Sequence, residues 1–265
     1  MPDETPSLQT LSFEKAGSTG WITLDRPQAM NALTLPMYER LAEICEGVTL
    51  DGDLRCLVIL GAGERAFAAG TDIAAFRDVT EEAAVLAYEA LMERVFGAIE
   101  ACPVPVIAAM AGAATGGGAA IACAADIRIA CDNLRFGFPI ARTLGNALSV
   151  ENLARVGELI GMGLTRELLL TARLVDAREA AACGLVSRVV ADREALVAAA
   201  AEMAEAIAGL APITLSATKE ALRRLRRDGA GASDRDLILK AYLSEDFREA
   251  VAAFGEKRRP VFKGR

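Results

Sequence analysis

The chain of 265 residues contains no histidine. That absence closes every mechanism that borrows an imidazole: Ser-His-Asp triads, Cys-His dyads and H-E-x-x-H zinc sites are all excluded. Carboxylate, thiol, lysine and tyrosine chemistry remain, helped by backbone amides. The six cysteines, Cys45, Cys56, Cys102, Cys123, Cys131 and Cys183, lack C-x-x-C spacing and sit mostly in apolar surroundings. They read as reduced core thiols of a cytoplasmic protein, and no metal site is expected. No apolar stretch runs unbroken for the roughly 20 residues of a membrane span. The amino terminus, M-P-D-E-T-P-S, is acidic and polar where a signal peptide is basic and then apolar. Positive charge is also short: a net charge of -7 argues against a nucleic-acid partner, because phosphate neutralisation needs a basic face. The local exception, Arg223, Arg224, Arg226 and Arg227, spreads over more than one helix face and reads as a solvated helix end.

What is present is a sequence that is 53% hydrophobic, ample for one large α/β core. Phe13 with 21–24 predicts an opening hairpin, and 36–48 a helix with proline in its first turn. A buried strand follows at 55–60, a long helix at 81–100 and another buried strand at 104–110. The triple glycine Gly116-Gly117-Gly118 should open a short helix through Cys123, with a strand at 126–130 behind it. From Ser149 onward helices dominate, among them an amphipathic one over 196–210, broken by a strand at 185–190. Such alternation predicts crossover units and a largely parallel sheet, then a helical carboxyl-terminal third.

Two glycine-bearing stretches carry the most information: A-F-A-A-G-T-D-I at 66–73 and G-A-A-T-G-G-G-A-A at 112–120. Each follows an apolar strand, so bare backbone lies at the carboxyl end of a sheet, where open α/β folds place ligands. Three readings compete. Gly61-Ala62-Gly63-Glu64-Arg65-Ala66 fits G-x-G-x-x-A, with acids beyond at Asp78 and Glu81, and would make a dinucleotide-dependent oxidoreductase. Gly70 interrupts the segment where the phosphate-binding helix should run. A phosphate loop fails, since neither stretch ends in G-K-S or G-K-T. The third reading pairs the stretches as one site, with one amide from each aimed at a single oxygen.

Beyond the two stretches, L-D-R-P-Q-A-M-N-A-L (24–33), P-V-I-A-A-M-A-G-A-A-T-G-G-G-A-A-I-A-C-A-A-D (105–126), F-G-F-P (136–139), A-A-A-C-G-L-V-S-R-V-V (180–190) and the ending F-G-E-K-R-R-P-V-F-K resemble the crotonase superfamily of enoyl-CoA hydratases and isomerases over essentially the whole chain. The resemblance implies an α/β crotonase-like ββα-superhelix over 1–190 and a helical oligomerisation region over 191–265, assembling as homotrimers or dimers of trimers. It implies that a thioester carbonyl oxygen accepts the backbone N–H groups of Thr71 and Gly117. Fixed dipoles there act most strongly on the enolate, where negative charge collects. It further implies coenzyme A contacts at Arg26, Arg65, Ala66, Ala68, Ala69, Phe254 and Lys257, the last two commonly toward a neighbouring subunit. Coenzyme A would enter as part of an acyl-CoA substrate, with no permanently bound cofactor.

The departure from the family falls on the acids. Hydratases carry a glutamate two residues after the last glycine of the triple and another directly after the proline of F-G-x-P; here those positions are Ala120 and Ile140, or Ala141 if the longer I-A-R-T-L-G segment shifts the register. None of these side chains moves a proton, so an ordinary two-glutamate hydration is not available. Glu151, at a helix start in a region that faces the acyl pocket in relatives, is the candidate acid/base. Asp72, beside Thr71, is a weaker one that also fits a loop-bracing role. Arg142, Asn146, Ser149 and Asn152 are candidates to polarise substrate or hold water, and Cys123 reads as a core thiol. Isomerisation or other enolate chemistry needs fewer groups than hydration. A catalytically silent acyl-CoA binder stays open as the alternative.

Overall fold

The computed structural model describes residues 10–77 and 79–265; Asp78, one acid of the dinucleotide reading, lies outside them. Strands β1 (Leu11–Ala16) and β2 (Thr19–Leu24) form the expected antiparallel hairpin. After it come helix α1 (Leu35–Glu46), strands β3 (Cys56–Gly61) and β4 (Ala66–Ala68), and helix α2 (Glu82–Ala101). The pattern repeats with β5 (Val106–Met110), β6 (Ala113–Thr115) and α3 (Gly117–Ala124). It repeats again with β7 (Ile127–Cys131), β8 (Arg135–Gly137), the short α4 (Ile140–Thr143) and α5 (Val150–Thr171). Then follow β9 (Val175–Asp176), α6 (Ala177–Ala182) and β10 (Arg188–Val190), and helices α7 (Arg193–Ala208), α8 (Pro212–Asp228), α9 (Arg235–Tyr242) and α10 (Glu245–Glu256).

Each repeat places one strand in each of two sheets before a helix returns. A six-stranded sheet runs β1-β2-β3-β5-β7-β10 and a four-stranded one runs β4-β6-β8-β9. From β2 to β10 the larger sheet is parallel. Its strands read as continuous apolar runs because both faces are covered. Ile59, Val106, Ala108 and Met110 join the core shared with α1, α2 and α3. Val58, Ile107, Ala109 and Ile129 face Leu196, Ala199, Ala200, Ala204 and Ile207 of α7. The expected boundary at Val190 therefore does not coincide with the edge of the core, since α7 closes one face of the sheet. No single helix among the described residues is long and apolar enough to cross a membrane; only α7 and α8 pass together, as a pair bent by 108°.

The second sheet fits the two strands per turn that the family resemblance implies, but hydrophobic periodicity did not signal its strands. Its members are two or three residues long, Ala-Phe-Ala, Ala-Ala-Thr, Arg-Phe-Gly and Val-Asp, too short for a period to register. Its presence corrects the dinucleotide reading: β3 leads through Gly61-Ala62-Gly63 into β4 and not into a helix, so no helix amino terminus stands behind those glycines.

Candidate active site

The first glycine stretch is braced from below by the 24–33 segment. Asn31, fully buried, donates from Nδ2 to the carbonyls of Ala62 (2.9 Å) and Ala66 (2.7 Å) and accepts the Arg26 amide at 2.9 Å. The Arg26 guanidinium donates to the Ala32 carbonyl (2.6 Å) and to Asp72 (2.8 Å). Asp72 also accepts the Ala74 amide at 3.0 Å; that bond first, then Arg26, holds its carboxyl below the usual aspartate range. Asp72 is thus the cap of a short turn and does not line the cavity described below.

Leu33 pairs with Thr71 in a parallel bridge that uses the Gly70 carbonyl and the Asp72 amide (both 2.8 Å). In that pattern the intervening residue's own N–H points away from Leu33, and among the described residues the Thr71 amide has no acceptor. The Gly117 amide is unspent for a different reason: it is the first residue of α3, where helical N–H groups have no intrahelical acceptor. The two stretches meet backbone to backbone. A Cβ on Gly70, whose φ is +110°, would stand 3.4 Å from the Thr115 carbonyl oxygen and 3.9 Å from the Gly117 nitrogen. A Cβ on Gly117 would overlap the Tyr38 phenol oxygen and lie 3.3 Å from Thr71 Oγ1.

Three hydroxyls fix the junction. Thr71 Oγ1 shares hydrogen bonds with Tyr38 Oη and Tyr88 Oη, each at 2.9 Å. Tyr38 is fully buried, and burial pushes its phenol far up. Tyr88 packs on Phe76 with ring centroids 5.1 Å apart. Both phenols escaped the sequence reading, because α1, the 66–73 stretch and α2 are brought together only by the fold.

A cavity of about 310 Å3 opens from this junction. The glycine stretches form one wall with Gly70, Thr71, Gly116 and Gly117; α2 contributes Tyr88, Glu89, Met92 and Phe96; the segment after β8 contributes Ile140, Asn146, Ser149 and Asn152. Ala120 and Ile140 both line it, whereas the exposed Ala141 does not. Ser149 caps α5 by accepting the Asn152 amide at 3.2 Å. Arg142 is exposed and does not line the cavity.

Glu151 is placed elsewhere. Its carboxylate is bound by Arg226 of α8 and lies 3.8 Å from Arg155. Burial alone would raise it, but the Arg226 hydrogen bond and the charges of Arg226, Arg155 and Arg227 hold it below the usual glutamate range. The buried Arg155 in turn reaches Glu100 (2.9 Å), Glu93 (3.0 Å) and Asn152 (3.1 Å). Glu151 therefore belongs to a salt-bridge network behind the cavity. Arg226, which a solvated helix end would leave free, is a buried member of that network. Cys123 is buried away from the cavity, its thiol pushed up to about 12 by burial. The carboxylate that does line the cavity is Glu89, which the sequence reading did not single out. Burial, then the Glu93 charge, raises it above the ordinary glutamate range.

Of the residues expected near coenzyme A, Ala66 and Ala68 are buried in β4, paired with Ala113 and Ala114 of β6. The Ala69 amide donates to the Met30 carbonyl at 3.0 Å. Arg65 is exposed, with no side-chain partner among the described residues. Phe254 is 88% exposed on α10 and Lys257 ends that helix; neither lines the cavity.

Comparison with known proteins agrees with this geometry. The family model for enoyl-CoA hydratase/isomerase matches residues 14–265. The short-chain-enoyl-CoA hydratase of Clostridium acetobutylicum is 35% identical over 256 residues, 95% of this chain and 97% of the relative. The (E)-benzylidenesuccinyl-CoA hydratase of Thauera aromatica is 34% identical over 96% of this chain and 99% of its own length. Among solved structures, an enoyl-CoA hydratase/carnithine racemase from Magnetospirillum magneticum superimposes with a TM-score of 0.88 at 36% identity, covering 98% of this chain and 97% of that one. With its two sheets, its paired glycine stretches and these relatives, the chain belongs to the enoyl-CoA hydratase/isomerase family of the crotonase superfamily.

Proposed function

We propose that this chain acts on acyl-CoA thioesters by stabilising an enolate between the Thr71 and Gly117 amides. The observation that carries the reading is the abutment of two glycine stretches on one cavity wall, each contributing an N–H that no other group among the described residues uses. An oxygen held there gains most when it becomes anionic, and losing one such donor costs about 3 to 4 kcal/mol of transition-state stabilisation. The amino end of α3 adds its dipole in the same sense. Ala120 and Ile140 leave the usual hydratase positions without a proton carrier, which favours isomerisation or other enolate chemistry over ordinary hydration.

Coenzyme A is the substrate's handle in this reading, along the backbone at Ala66, Ala68 and Ala69 and beside Arg65; Arg26 serves chiefly to hold Asp72. Phe254 and Lys257 would act across a subunit boundary in a homotrimer or dimer of trimers, with the exposed Tyr242, Leu243, Phe247 and Val251 supplying apolar contact. Five buried, unpaired thiols suit the reducing cytoplasm. A second reading, a silent acyl-CoA binder, draws on the same two apolar replacements. The test is mass-spectrometric deuterium uptake at the α carbon of saturated and unsaturated acyl-CoA thioesters in heavy water. Uptake supports enolate chemistry, and binding without uptake across the panel supports the silent binder.

A further inference from the structure

The cavity as a proton-transfer site raises a specific question, because every position expected to carry the acid is either apolar or turned away. Ala120 and Ile140 line the cavity but cannot titrate. Glu151 is engaged by Arg226, and Asp72 by Arg26 and the Ala74 amide. Glu89 is different on each count. It is the one carboxylate among the residues lining the cavity, and among the described residues it accepts no hydrogen bond and has no cation within salt-bridge distance. It stands on the face of α2 that also presents Tyr88, Met92 and Phe96, one helical turn apart. Tyr88 Oη is 2.9 Å from Thr71 Oγ1. Burial chiefly, and the neighbouring Glu89 charge in smaller part, raise the Tyr88 phenol against the opposing Thr71 hydrogen bond. The turn of α2 that carries Glu89 is thus tied, through the adjacent Tyr88, to Thr71.

We propose that Glu89 is the catalytic proton carrier of this cavity, moving a proton between the α and γ carbons of a β,γ-unsaturated acyl thioester. The assignment rests on the enolate reading above. In the first step the Glu89 carboxylate takes the α proton. The C–H electron pair becomes the carbon–carbon double bond of a dienolate, and the carbonyl pair moves onto the oxygen held by the Thr71 and Gly117 amides. In the second, the neutral Glu89, whose acid proton exchanges with solvent, gives a proton to the γ carbon, or back to the α carbon in the exchange reaction; the carbonyl re-forms, and after γ protonation the double bond lies between the α and β carbons. Proton and charge balance with no co-reactant. One unpartnered carboxylate suffices because donor and acceptor are the same group. No cation among the described residues lies within salt-bridge distance of Glu89, so its carboxylate stays available to take a proton.

Other charges bear on its titration: Tyr88 and Glu93 on its own helix, Glu151 of α5, and Arg227 of α8 across an adjoining cleft. Glu93 is drawn off by Arg155 and Glu151 by Arg226, which leaves burial as the main influence on Glu89.

The test compares wild type, Glu89→Gln and Glu89→Asp for α-deuterium exchange and for isomerisation of a 3-enoyl-CoA followed by conjugated-thioester absorbance, with affinity for a saturated acyl-CoA measured in parallel. A loss of about 100-fold or more in kcat for Glu89→Gln, with affinity kept within a few-fold and partial activity in Glu89→Asp, supports the assignment. So does a wild-type rate that rises with pH through a limb above the ordinary glutamate range and is missing from Glu89→Gln. Exchange in Glu89→Gln within about five-fold of wild type overturns the assignment and leaves the enolate reading intact. Wild type that binds the thioesters but exchanges none of them, or fails to bind them, overturns both. Should Glu89→Gln fail to fold, the wild-type limb and Glu89→Asp decide: an unshifted pH profile in Glu89→Asp at full rate counts against Glu89.

Discussion

Replacing Gly117 by alanine tests the junction of the two glycine stretches more severely than any change in the cavity. The new Cβ would overlap the Tyr38 phenol oxygen and stand 3.2 Å from Tyr38 Cζ and 3.3 Å from Thr71 Oγ1. Ordinary contact demands a retreat on the order of 1.5 Å, and Tyr38 has no room to make it, being fully buried and hydrogen-bonded to Thr71. The amino end of α3 must move instead, carrying the Gly117 amide with it. Overpacking of this kind costs about 1 to 3 kcal/mol, a fall in Tm of roughly 2 to 4 °C per kcal/mol for a chain of this size. Misplacing one oxyanion donor costs a further 100- to 1,000-fold, approximately, in kcat. Tyr38→Phe removes the overlapping oxygen at the expense of one hydrogen bond, about 1 kcal/mol. The double variant Gly117→Ala, Tyr38→Phe should therefore be more stable than the two single changes sum to, by about 1 to 2 kcal/mol. Thermal melts and α-exchange rates on all four proteins measure both effects. Strict additivity together with wild-type exchange in Gly117→Ala would refute the reasoning.

Other expectations follow from the surrounding structure. Arg155→Met leaves the mostly buried Glu100 with Arg226 as its remaining ion-pair partner and releases Glu93 and Asn152, so the urea midpoint should drop by the equivalent of about 2 kcal/mol with little change in slope; a loss under about 0.5 kcal/mol would show the Arg155 contacts contribute little. Asp72→Asn should cost on the order of 1 kcal/mol, since the pair with Arg26 is partly exposed. The folded carboxyl sits below its unfolded value near 3.9, so its contribution is full above that pH and disappears as pH falls through the lower folded value. Urea denaturation from pH 7 to 3 should thus show a constant gap between wild type and Asp72→Asn that closes only in acid; a gap that widens in acid contradicts the assignment.

The path from sequence to site was uneven for physical reasons. The glycine stretches were legible because close backbone approach and positive φ leave a mark in residue type: Gly70 has a φ of +110° and a Cβ on Gly117 would overlap Tyr38. The parallel sheet was legible as unbroken apolar runs. The second sheet was not, since Ala66–Ala68 and Ala113–Thr115 are too short and too bland to signal a strand. The acid was misdirected by locality. Glu151 stands at a helix start beside the acyl region, but its partner Arg226 lies 75 residues away, and only the fold brings the two side chains together. Glu89 is one of several glutamates along α2, and nothing in its spacing separates it from Glu82 or Glu93. Burial against the cavity distinguishes it, and burial is a property of the fold.

The most direct measurement of the central claim is the infrared difference spectrum of an acyl-CoA whose thioester carbonyl carries carbon-13, bound to wild type and to Gly117→Ala. Two converging amides polarise the carbonyl, so the account predicts a stretch shifted to lower frequency on wild type and shifted back toward its solution value in the variant. A carbonyl that binds to wild type at its solution frequency would contradict it.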